Sequence, residues 1–139
     1  MVGKPRDGTR VFRIILRVFG AFAVLTGIGD VATGPGLLIA SGAVIPTDVA
    51  ADPLLNSQLR FFGATWAGCG AMIWWIGGAP LERRVPLLIM AATIFIAGIG
   101  RLAAWIDTGG GTALLAAFIG IELIGAPAIA LWIERCARR

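Results

Sequence analysis

The sequence predicts an all-α membrane protein, a four-transmembrane-helix bundle with both termini in the cytoplasm. Three observations predict it. The chain has 139 residues, 58% of them hydrophobic and only 14% charged, and its mean hydropathy of +0.86 is far above that of ordinary soluble domains. Its apolar residues gather near 12–30, 57–78, 85–106 and 112–134, each close to the ~20 residues that a helix needs to cross the hydrocarbon core. Finally, outside the apolar segments Lys and Arg fall at the termini and on alternate connections. Lys4, Arg6, Arg10, Arg13 and Arg17 precede or open the first segment, Arg83 and Arg84 lie between the second and third, and Arg135, Arg138 and Arg139 close the chain. The remaining connections carry Asp48, Asp52 and Asp107 and no cation, so the positive-inside rule places the termini and the 79–84 turn on the cytoplasmic side. One transmembrane domain, residues 1–139, uses up the chain.

Each element has a local justification. The first segment has the basic start and apolar middle of a signal peptide. However, "GIGDVATG" carries Asp30 and no A-x-A pattern where cleavage would fall, which predicts an uncleaved anchor. The connection over 31–56 is long, and its apolar "GPGLLIASGAVIP" is suited to the membrane surface or the helix ends; it is either a lid or a plain bridge. Asp52-Pro53 predicts a helix start, with Asp at the N-cap and Pro at the first helical position. The short "GGAPLERR" and "DTGGG" turns predict antiparallel neighbours on either side of each. Pro86 falls in a first helical turn, where its missing N–H costs little, whereas Pro127 lies inside the fourth segment. There it frees the carbonyl of Leu123 and should bend the helix one turn past Glu122.

Composition excludes several function classes. Without histidine there is no His-ligated haem, His general base or ordinary zinc site, and no metal site or cofactor is expected. Cys69 and Cys136 are not expected to pair on the reducing side of a membrane. The net charge of +4 comes from juxtamembrane and terminal cations, which attract anionic lipid and do not predict nucleic-acid binding. Trp66, Trp74, Trp75, Trp105 and Trp132 read mostly as an interfacial belt. Gly109 to Gly111 read as a tight turn, since no phosphate-loop pattern accompanies them.

The informative residues are the ionisable ones inside the apolar segments. "GIGRLAAW" keeps a permanent cation, Arg101, in an otherwise apolar stretch. A lone arginine at depth costs at least about 2.5–3.5 kcal/mol, so its presence implies a carboxylate partner. With ~1.5 Å rise per residue, Arg101 lies roughly 9 Å below Asp107 and Glu122 roughly 15 Å below Thr112. That difference is within an arginine's reach, which predicts an Arg101–Glu122 contact, with Asp30 as the other available acid. Asp30, Arg60, Arg101 and Glu122 each share a helix face with Gly or Ala, which turns them toward neighbouring helices. Asp30, Gln58, Arg60, Arg101 and Glu122 therefore form the candidate polar cluster. It is either an ion-pair network that fixes helix register or a site that binds a polar ligand or moves a proton, with Glu122 the candidate catalytic group.

At "NSQLRFFGATWAGCGAMIWW", followed by "IFIAGIGRLAAW" and "AFIGIELIGAPAIALW", the chain resembles a bacterial family of small four-span membrane proteins known as a domain of unknown function, number 4345. The resemblance covers most of residues 12–135. Arg60, Phe61, Phe62, Gly100, Arg101, Leu102 and Glu122 match the family pattern, while Gln58 stands where an acidic residue is usual, which removes one potential carboxylate. The resemblance implies a multi-pass protein of the bacterial inner membrane and supplies no activity.

Three functions are compatible with this reading. The first is an accessory or regulatory subunit of a larger membrane or envelope-lipid transport assembly. Its partners would be membrane lipids and either another protein or further copies, met through the small-residue helix faces. A membrane-embedded acid/base enzyme, an isomerase or an epoxide-opening type acting on a lipophilic small molecule, is the alternative. The third is a small proton-coupled transporter with Glu122 alternately protonated.

Overall fold

A computed structural model describes residues 7–138; Lys4, Arg6 and Arg139, three of the cations behind the expected orientation, lie outside them. The described residues are helical, with no strand among them. The helices are α1 (Asp7–Thr33), α2 (Gly36–Ala40), α3 (Thr47–Ala50), α4 (Pro53–Ile76), α5 (Arg84–Asp107), α6 (Ala113–Gly120) and α7 (Ala126–Ala137), with a wider helical turn, Ile121–Gly125, joining the last two.

Three stretches are long and apolar enough to cross a membrane, Arg10–Thr33, Arg84–Asp107 and Ala113–Ala137. The fourth expected span differs. Helix α4 matches α5 in length at 24 residues, but Asn56, Ser57, Gln58 and Arg60 interrupt its first two turns, and tryptophans and glycines dilute the rest. The long connection is also shorter than expected. α1 runs on to Thr33, and α2 and α3 occupy part of what remains before Pro53.

The chain divides into two compact units, residues 1–78 and 79–139. In the first, α1 and α4 run antiparallel at backbone contact. A Cβ on Gly27 would fall 2.5 Å from the carbonyl oxygen of Gly63, and one on Gly20 would fall 2.7 Å from that of Gly70. The reverse contacts, Gly63 to Gly27 and Gly70 to Gly20, are both 2.8 Å. Each helix thus presents two glycines seven residues apart on one face, the spacing that lets membrane helices pack backbone to backbone. Leu16 and Ala23 continue that face on α1 and Ile73 and Ile76 on α4, and all four are buried.

Polar groups close the ends of this pair. Gly34 ends α1 in the left-handed region (φ +59°), donating its N–H to the Asp30 carbonyl at 2.8 Å. α4 starts as its sequence predicts, with Asp52 accepting from the Leu55 N–H at 2.8 Å and Pro53 at the first helical position.

The second unit is a hairpin of α5 against the continuous helix 113–137. Thr112 caps that helix through the Leu115 N–H, and Gly109 and Gly110 take positive φ in the turn before it. Pro127 has the expected effect in a different form. The Ala126 N–H reaches five residues back to the Ile121 carbonyl, so the helix accommodates the missing proline donor by widening over one turn.

Candidate functional site

The widened turn carries Glu122. Its neighbour on α5 is Gly98, where a Cβ would fall 2.8 Å from the Glu122 Cβ, so only glycine admits the acid at this level. Gly98 and Ala126 are themselves buried. One turn beyond Gly98 on α5, Arg101 donates from Nε to Glu122 Oε1 at 3.0 Å. Its guanidinium also lies 5.4 Å from the centre of the Phe118 ring, one turn before Glu122. The sequence therefore brings glycine, arginine, phenylalanine and glutamate together by helical spacing on two antiparallel helices.

The pair is unevenly placed. The Glu122 side chain is 10% exposed and that of Arg101 46%. Glu122 Oε2 is buried without a hydrogen-bond partner, and among the described residues only Nε of the guanidinium hydrogen-bonds to the carboxylate. A structural arginine–carboxylate pair is strongest when two parallel hydrogen bonds engage both oxygens. This one leaves a buried acceptor oxygen without a partner and the Nη donors on the exposed side of the pair. No group of three or more potential metal-ligating His, Cys, Asp or Glu residues occurs among the described residues.

The other members of the expected cluster belong to the first unit and have different surroundings. Arg60 crosses from α4 to the end of α1. There Nη1 donates to the carbonyls of Val31 and Ala32, and Nε donates to Asn56 Oδ1 at 2.6 Å. It is a cation on the carbonyl end of a helix, where the backbone dipole favours it. Asp30 is half-buried, and its Cβ lies where a side chain on Gly63 would stand. Gln58 is exposed on α4.

Asn56 and Phe118 were not singled out from sequence. The available signals were that Asn56 precedes Arg60 by four residues and Phe118 precedes Glu122 by four, one turn in each case. Trp66 also departs from the interfacial reading. Its Nε1 donates to Thr26 Oγ1 at 3.0 Å and its ring meets Phe19 edge-on, inside the α1–α4 pair. At the opposite end Arg13 donates to the Gly77 carbonyl at 3.3 Å, and Arg17 lies over Trp74.

A family model described as a domain of unknown function matches residues 11–133. No curated protein and no solved structure matches the chain.

Proposed function

The chain belongs to the DUF4345 family of unknown function, and we propose that it is a small four-span protein of the bacterial plasma membrane, termini inside, that binds an amphiphile as an accessory subunit of a larger membrane or envelope-lipid assembly. The observation that carries this reading is the incompletely satisfied Arg101–Glu122 pair within an apolar hairpin. Intramembrane charges are costly and concentrate where something polar is handled. A half-exposed guanidinium held by a buried carboxylate presents fixed donors to a polar group on an otherwise hydrocarbon-soluble molecule.

Gentle extraction from native membranes followed by native mass spectrometry tests both parts. The expected result is a stoichiometric protein partner with a retained lipid or lipophile, and loss of the lipophile in Arg101→Ala. A monodisperse chain carrying neither would sink the proposal.

Acid/base catalysis is the second reading, and the widened turn at Glu122 favours it, because such turns are common at functional sites and set a side chain off the regular helix register. On that reading Glu122 carries the proton and Arg101 stabilises developing negative charge. A well-folded Glu122→Gln variant that still turned over a substrate found with the native protein would eliminate it.

A further inference from the structure

We propose that the Arg101–Glu122 pair binds the carbonyl oxygen of an uncharged lipophile, a ring ketone of the quinone kind or the acyl ester of a glycerolipid. This deepens the amphiphile-binding reading above and rests on it.

The guanidinium is fixed on two sides, by Glu122 Oε1 on Nε and by the Phe118 ring. Its Nη groups make no hydrogen bond among the described residues, and the side chain is 46% exposed. Unmet donors in apolar surroundings require an acceptor. The pair already sums to zero charge, so a full anion added at depth would leave a net negative charge in low dielectric, whereas a neutral carbonyl satisfies the donors without one. Asp107, the end of α5, is the sixth residue after Arg101, roughly 9 Å along the helix. A carbonyl on a hydrocarbon-soluble molecule reaches that depth. Phe118 adds an apolar ring beside the guanidinium on which a flat carbonyl compound can pack. Glu122 acts as the positioning residue, since its 10% exposure and the contact with Gly98 hold it in place.

The test uses the purified full chain in nanodiscs of ether-linked phosphatidylcholine, which contains no ester carbonyl, with a decyl-substituted benzoquinone as probe. Native mass spectrometry reads the stoichiometry and a titration reads the affinity. One probe per chain is expected, with binding weakened about tenfold or more in Arg101→Gln and unchanged in Arg60→Gln, which alters the other unit. Arg101→Lys, which keeps the charge should Arg101→Gln fail to fold, should also weaken binding by losing the planar fork. Displacement of the probe by ester-linked phosphatidylcholine would support the site and identify a glycerolipid as its source. Retention against that lipid would support it with a ring carbonyl as the ligand. Absence of binding by the wild-type chain, or equal binding by a folded Arg101 variant, would overturn the carbonyl proposal. The accessory-subunit reading would then stand or fall separately on whether a partner and a lipophile are recovered from native membranes.

Discussion

The two units hold their helices together by different means. In the α1–α4 pair, four glycines remove side chains from the contact so that backbones touch; Arg60 and Arg13 sit at its two ends, on the last carbonyls of α1 and on the carbonyl of Gly77, and Asp30 packs its Cβ against Gly63. In the α5 hairpin a single glycine, Gly98, faces the opposite helix at close range within the span, and what it meets are the side chains of Glu122 and Leu123. Close packing needs no polar atom and offers none to a ligand. The hairpin contains a buried acid that one arginine only partly satisfies. Membrane helices lack a hydrophobic drive toward one another, so both solutions rely on short-range contacts, but the second closes on an ion pair.

Substitutions can break or sharpen this contrast. The largest effect is expected from Arg101→Ala, which strands a buried carboxylate; about 3–5 kcal/mol of stability should be lost in an unfolding assay in mixed micelles. Glu122→Ala should cost less, because the half-exposed arginine can turn toward a polar boundary. Equal losses would show that the pair is not asymmetric. Gly63→Leu comes next, at about 3 kcal/mol, since its side chain meets backbone that cannot move aside. Gly68→Leu, which has open space around its Cβ, is the matched control and should change little. Trp66→Phe should cost about 1 kcal/mol through the lost hydrogen bond to Thr26, read in the same assay. The smallest effect belongs to Arg60→Gln, about 0.5 kcal/mol, from weaker support of the α1 carbonyls. A larger loss there would mean that the first unit, too, depends on an internal charge.

Much of this was legible in the sequence because membrane helices obey simple length and spacing rules. Pairing of Arg101 with Glu122 followed from the cost of a lone arginine at depth, the small-residue helix faces and the rise per residue, and the start of α4 from Asp52 and Pro53. The role of Arg60 was not legible, because an arginine seeking a carboxylate and one seeking helix-end carbonyls look the same until the neighbouring helix is placed. The hydrogen bond of Trp66 was not legible for a related reason. Indole suits both an interface and a buried hydrogen bond, and only the packing of Thr26 against it decides which. Pro127 announced a disturbance near Glu122, but relief by widening instead of a simple bend depends on the whole turn, Ile121–Gly125.

The two arginine clasps of the first unit have a consequence for biosynthesis. Both depend on residues between Arg60 and Gly77, at opposite ends of α4. A nascent chain that has not yet released this stretch therefore holds α1 with its glycine face bare and its last carbonyls unclasped. In that interval α1 is without its mate, and the glycine contact closes only once the whole of α4 has been made.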